Sequence, residues 1–402
     1  MSEAFHTLLV KSLSNEISQE ERQQVTNELL ALYQSPQSTL DILQFLLNEQ
    51  NVLIRHAASI GLKKSLQNNW KSSICKSDFH EPVKETIIAI FQNETEQLIL
   101  HAIVQGIKPI FKTDICKWTQ LFELVTSLTN DKTRLDAIEF SLYLITYFTC
   151  YLSEALLEAN LPFFLDLCNF SFETGNQQLI DTACGLVAVL IGIIDDEELP
   201  MMVPAFTKML DIYSISLSSD DSYAYRISNK LSFAFKKRKD LPLPNDAILS
   251  RLFEVAPQNP IIAFTPINQF IETCGKKLSN LFPTIIQQTL AFATALFVDA
   301  PLEENDNSMY VLNAIGNISQ KIKPRIFFPK FLGMLSTNSL PETIISAMAI
   351  SYVISNSQEA VTKNISQLSK FILNVLQLDH ICAKEVALDI IKDIAILFEE
   401  GK

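Results

Sequence analysis

Only 9 glycines occur in 402 residues, roughly 2% against an average near 7%. Glycine supplies the positive-φ positions and tight turns that large β-rich and α/β folds use repeatedly. A chain this poor in it must join its elements by other means. Neither G-x-G-x-x-G nor G-x-x-x-x-G-K-[ST] occurs, so no glycine-rich loop is present to cradle a phosphate. With 48% hydrophobic and 19% charged residues, the composition points to a long, helix-dominated chain. Length alone would allow two or three domains.

The apolar residues have a helical period. Ile54, Ala57, Ala58, Leu62 and Leu66 form one stripe, and Ile99, Ala102, Ile103, Ile107 and Ile110 a second, each marking one helix face. Superposing them aligns Gly61 with Gly106, a small residue where neighbouring helices can approach closely. Further copies of the small position fall at Ala137, Ala183, Ala224, Ala263, Ala314, Ala347 and Ala387. The mean spacing from Ala57 is about 41 residues, as in two-helix HEAT or armadillo units. Preceding helices are expected at 41–47, 83–91, 118–128, 161–172, 203–213 and 371–378. The breaks between them, such as Asn48-Glu49-Gln50-Asn51 and Thr174-Gly175-Asn176, are short, polar and rich in capping residues. The expected fold is therefore all-α: an α-solenoid of about ten helical pairs, read as one continuous unit over 1–402. Two irregularities are expected. Pro242, Pro244, Pro257, Pro260 and Pro266 blur helix boundaries, and 299–307 reads as a short acidic inter-helix loop containing Glu303, Glu304 and Asp306.

The net charge is −13, which repels phosphate backbones and suits basic partners. The seven cysteines form no C-x-x-C pair and read as reduced thiols of the cytosol or nucleus. The first residues lack the basic and apolar regions of a signal peptide. The uncharged run Thr182–Ile194 is shorter than the roughly 18 residues of a membrane span. Leu278–Val298 is interrupted by polar residues, so no membrane insertion is expected.

No catalytic constellation is visible. The five histidines are scattered, with no H-E-x-x-H, no metal-ligand cluster and no G-x-S-x-G elbow. His56 and His101 read as partly exposed residues of equivalent repeats. Asp195-Asp196-Glu197-Glu198 sits between two helices, where carboxylates favour the next helix N-terminus. Lys236-Lys237-Arg238-Lys239 ends a helix at 222–235 and reads as a solvated, dipole-complementing cluster or a partner contact. Aromatic residues at core phase, Phe233 and Phe235 among them, do not provide stacking platforms for bases, so no direct nucleic-acid binding is expected.

Residues 21–70 carry a more specific pattern. An early helix closes near Ser35-Pro36, and an R-x-x-A-x-x-x-L-K-x-x-[IL] helix follows and ends on tryptophan: Arg55, Ala58, Leu62, Lys63, Leu66 and Trp70. This resembles the amino-terminal domain of the importin-β (karyopherin-β) family of nuclear transport receptors. The resemblance implies a superhelix that binds RanGTP through the second helices of its first repeats, here roughly 18–33, 54–69 and 97–110. It also implies phenylalanine-glycine nucleoporins in grooves between outer helices, basic protein cargo on the inner face, and shuttling between cytoplasm and nucleus. Lys63 and Lys64 are the candidate Ran contacts. Arg55 is expected instead to bond the inter-helix turn through Glu49 or Asn51. Glu303, Glu304 and Asp306 resemble the acidic loop of several members. Family members are about twice as long, so the resemblance covers an amino-terminal half, and carboxy-terminal cargo sites would be missing. A HEAT-type scaffold without Ran dependence is the alternative; no cofactor, metal or enzymatic activity is expected.

Overall fold

The computed structural model describes residues 2–299, 306–355 and 358–400. They form 21 α-helices with short 3-10 turns, and no strand occurs among the described residues. The chain divides into two compact units, Met1–Ile194 and Asp195–Lys402.

In the first unit α1 (Ser2–Leu13) pairs with α2 (Gln19–Leu32), and α3 (Pro36–Asn48) with α4 (Val52–Asn69). Next, α5 (His80–Asn93) is followed by α6 (Gln97–Gly106) and its continuation α7 (Lys108–Asp114). The unit closes with α8 (Thr119–Asn130) and α9 (Leu135–Phe148), then α10 (Glu154–Glu173) and α11 (Gln177–Ile193). The second unit repeats the plan. Its pairs are α12 (Val203–Leu217) with α13 (Asp221–Lys237), α14 (Asn245–Val255) with α15 (Pro260–Cys274), and α16 (Phe282–Asp299) with α17 (Asp306–Ser319). Then come α18 (Pro324–Leu332) with α19 (Leu340–Ile354) and α20 (Gln358–Leu376) with α21 (Ile381–Glu400). Within each unit second helices pack on second helices: α4 on α6, α6 on α9, α9 on α11, and α13 through α15, α17 and α19 to α21. This is the all-α solenoid that the 41-residue periodicity predicts.

All nine small positions fall on second helices. From Ala137 onward they are buried. In the first two copies Ala58 and Ile103 take the core side, while Ala57 and Ala102 are half-buried, one residue out of the expected phase. The aligned glycines act as expected. A Cβ on Gly106 would lie 3.1 Å from the Cα of Lys63, so α6 rests directly on the backbone of α4. A Cβ on Gly61 would lie 2.6 Å from the hydroxyl of Tyr33, and the missing side chain makes room for that ring.

The expected continuous helix over 97–110 is divided. α6 ends at Gly106, and α7 begins at Lys108 with Pro109 in its first turn. Proline has no N–H to donate and its ring crowds the preceding turn; the apolar face nevertheless continues through buried Ile107, Ile110 and Phe111. By contrast Pro266 is accommodated inside α15. Caps follow the polar breaks: Asn51 accepts from the Leu53 and Ile54 amides, Asn176 from that of Leu179, and Ser18 with Glu21 forms a capping box. The acidic residues Glu303 and Glu304 lie outside the described residues, and Asp306 is the first residue of α17.

Leu62 is fully buried. Leu62→Ala should cost about 2–5 kcal/mol through the cavity it leaves. Leu62→Asp should cost more, because it buries a charge without a partner; thermal melts followed by circular dichroism read both, and an unchanged midpoint for Leu62→Asp refutes the assigned core face. Burial also pushes the Tyr33 phenol from 10.0 up to about 12. Folded protein therefore holds this proton at pH values where unfolded chain has released it. The contribution is complete below pH 10 and is lost as pH rises toward 12. Tyr33→Phe should make the alkaline decline of stability shallower.

Candidate functional site

The segment that carries the R-x-x-A motif is α4, and it is fastened at both ends. At its start the turn Glu49-Gln50-Asn51 presents carbonyls to Arg55, whose Nη1 donates to the Glu49 oxygen at 3.2 Å and the Gln50 oxygen at 2.9 Å. The other edge of the guanidinium takes the carboxylate of Glu94 in the next turn, Nε at 2.9 Å and Nη2 at 3.2 Å. The expected bond from Arg55 to the inter-helix turn at Glu49 or Asn51 is made at the Glu49 carbonyl, not at either side chain. Both are already engaged: Glu49 accepts the Asn51 amide at 2.8 Å and faces His6 at 3.5 Å, and the Asn51 oxygen caps α4. Arg55 instead bridges two successive turns, and Glu94 also accepts the amides of Thr95 and Glu96.

At the other end Asn69 donates to the carbonyls of Tyr33 and Ser35, at 2.9 and 3.2 Å. This holds the Ser35-Pro36 turn of the preceding pair. Trp70, with none of its surface exposed, donates its indole N–H to Thr113 Oγ1 at 2.8 Å in the following pair. The motif residues Arg55 and Trp70 thus fix the neighbours of α4, while Ala58, Leu62 and Leu66 are core.

Lys63 and Lys64 are split by this packing. Lys63 is half-buried at the seam where Gly106 meets α4, whereas Lys64 is exposed. Neither is in an ion pair among the described residues. Lys64 shares the open face of α4 with Leu53 and Ile60, which are 69% and 56% exposed, and α6 adds Leu98 at 71%. This mixed apolar and cationic surface was not singled out from the sequence; its signal was apolar residues lying off the core stripe.

A polar ladder continues across the second helices and was also missed. His101 of α6 stacks on Tyr143 of α9 with centroids 3.7 Å apart, and its Nε2 lies 3.1 Å from Glu139 Oε2. Glu139, nearly buried, takes the Thr182 hydroxyl of α11 on its other oxygen at 2.7 Å. Gln105 donates to the Tyr143 hydroxyl at 2.9 Å, and Lys108 lies over the Tyr147 ring. Burial raises the Tyr143 phenol well above its ordinary range, keeping it protonated. His101 is therefore a structural link between repeats as well as a partly exposed residue.

In the second unit a cavity of about 420 Å³ opens between the first helices α12 and α14. Leu210, Ser214, Leu252 and Val255 line it, and Arg251 pairs with Asp211 at 2.9 Å. No group of three or more His, Cys, Asp and Glu residues that could hold a metal is found among the described residues. Among those residues, no helix is long and apolar enough to cross a membrane.

These features define an α-solenoid whose amino-terminal helices carry one specific local pattern. Residues 25–105 match the Importin-beta N-terminal domain. The crystal structure of Kap121p bound to RanGTP is similar to it with a TM-score of 0.77 at 13% identity, over 98% of this chain and 40% of that one. Kap121p bound to Nup53p gives 0.75, also at 13% identity and over 98% and 40%. Kap121p bound to the SUMO protease Ulp1p gives 0.74 at 14% identity and the same coverage. The chain thus spans about 40% of the length of these structures and shares their fold over that span. No curated protein sequence matches it.

Breaking the Arg55 bridge should be costly, since Arg55 and Glu94 side chains are only 14% and 6% exposed. Arg55→Met strands the Glu94 carboxylate and should lower stability by about 3 kcal/mol. Arg55→Lys should recover only part of it, because an ammonium cannot reach two carbonyls and a carboxylate in the same plane. Urea melts of the two variants test this; equal stability of Met and Lys variants contradicts the bridge.

Proposed function

We propose that this chain is an importin-β-like receptor that binds Ran in its GTP form through the second helices α2, α4 and α6. Lys63, Lys64 and the neighbouring exposed Leu53, Ile60 and Leu98 supply the surface. The observation that carries the reading is the match of residues 25–105 to the Importin-beta N-terminal domain, on a fold that follows Kap121p bound to RanGTP along 98% of the chain. In this reading Lys64 meets an acidic patch of the partner, and the exposed leucines and isoleucine are covered on binding.

The groove between α12 and α14 is the proposed seat for a phenylalanine-glycine segment of a nucleoporin. Its cavity is of side-chain size and its wall is part leucine and valine. Basic protein cargo would bind along the second helices, consistent with the −13 charge. The acidic segment with Glu303, Glu304 and Asp306 is proposed to face such basic partners. A receptor of this kind would pass between cytoplasm and nucleus.

Capture by immobilised Ran loaded with GTP or GDP tests the reading. The GTP form should retain the chain and the GDP form should not. Lys63→Glu with Lys64→Glu should weaken capture about ten-fold, the scale of a mismatched interfacial charge. Equal capture by both forms, or by neither, would leave a helical-repeat scaffold without Ran dependence.

A further inference from the structure

The run Lys236-Lys237-Arg238-Lys239 plays no part in the reading above, and the second unit builds it into something larger. α13 ends at Lys237, and the chain beyond it is pinned to the end of α15: Cys274 Sγ donates to the Lys239 carbonyl at 3.5 Å. Burial holds that thiol at about 11, above its ordinary 9.0, so it stays a protonated donor. Lys277, just beyond α15, pairs with Asp240. The end of α17 is drawn in next. Gly275 has no side chain, and the stem of Lys321 lies where its Cβ would be, a position 2.5 Å from the Ile271 carbonyl. Three successive pair ends thus meet, bringing together Lys236, Lys237, Arg238, Lys239, Lys276, Lys277, Lys321 and Lys323.

Few carboxylates answer these eight cations. Asp196 pairs with Arg238 and Asp240 with Lys277; Glu272, a turn back on α15, accepts from Gln269. Lys236, Lys237, Lys239, Lys276, Lys321 and Lys323 have no carboxylate partner among the described residues. All but Lys321 of these six are exposed. Helix dipoles account for Lys236 and Lys237 in the last turn of α13, but that effect fades beyond the last turn. Lys239, Lys276 and Lys323 lie outside the helices. On a chain of net charge −13, six clustered lysines without a carboxylate partner form a local cationic ridge, bounded by the acidic run Asp195-Asp196-Glu197-Glu198 where Asp196 meets Arg238.

We infer that this ridge is a docking surface for a short, extended, carboxylate-rich peptide segment of a partner protein. Packed helices lie about 10 Å apart, so three ends span roughly 20 Å, the reach of about six extended residues. Side chains on one face of an extended segment recur every second residue, about 6–7 Å apart, so alternate carboxylates would run along all three pair ends. A short acidic segment feels only the nearby ridge, because screening confines the field to about 8–10 Å. A long polyanion is repelled by the rest of the surface. Nor is there a run of open rings for bases to stack on among the described residues of the ridge: Phe233 stands alone, with Lys237 over its ring at 5.2 Å.

The test is fluorescence anisotropy of a labelled octapeptide of alternating Glu and Ser, titrated with the full chain at low and physiological salt. The peptide should bind, more weakly as salt rises, and its Gln-for-Glu counterpart should not. Combining Lys236→Ala, Lys239→Ala, Lys276→Ala and Lys321→Ala should weaken binding about ten-fold or more with an unchanged circular dichroism spectrum. Lys370→Ala with Lys392→Ala, removing exposed charge elsewhere, should leave it unaltered. Absence of binding, equal loss in the Lys370/Lys392 variant, equal binding of the Gln peptide, or tighter binding of a single-stranded oligonucleotide of similar length would each overturn the proposal. None of these readouts involves Ran, so the two proposals fail separately.

Discussion

A helical pair buries one face between its own two helices and must bury a second face against the next pair, and this requirement organises each of the two units. It sets the spacing of about 41 residues, because each unit contributes two helices and two turns. It also sets the small residues on second helices, since these are the helices that stack most closely. Gly106 on the backbone of α4 at Lys63 is the clearest case. Everything polar is pushed to the turns and to the open faces, which is where the distinguishing features of this protein occur.

The turns carry more than connectivity. Arg55 binds its own turn and the next, and on the opposite edge Asn69 binds the preceding turn and Trp70 the last turn of α7. These contacts are directional where the apolar stacking is not, so they fix the angle at which consecutive pairs meet. Charge is sorted along the same lines in the second unit. Carboxylates such as Asp220 and Asp221 stand at a second-helix start, while lysines gather at the opposite ends. The helix dipole favours both placements, and the joining of three pair ends turns the second into a continuous ridge.

Periodicity made the helices legible. The nine small positions all lie on second helices, and the caps lie where short polar breaks predict them. What periodicity does not encode is contact between residues some forty positions apart. Arg55 meeting Glu94, His101 meeting Glu139 and Cys274 meeting Lys239 depend on how one repeat sits on the next. The turn residues near Arg55 were sensible partners by sequence distance, but their side chains were taken by Asn51 and α4 itself. Likewise the stripe through Ile107 is continuous in sequence although Pro109 divides the helix. The candidate lysines illustrate the same limit: consecutive in sequence, Lys63 and Lys64 point to a seam and to solvent.

The anchoring of Trp70 gives the chain a built-in optical asymmetry. The sequence contains two tryptophans, Trp70 and Trp118, and both are enclosed within the first unit with at most 1% of their surface exposed. Indole emission therefore originates entirely between Met1 and Ile194 and shifts toward the red only when that unit opens to water. The second unit is silent at those wavelengths and contributes through its helices alone. Emission and far-ultraviolet ellipticity followed together during unfolding thus separate the two units without any label.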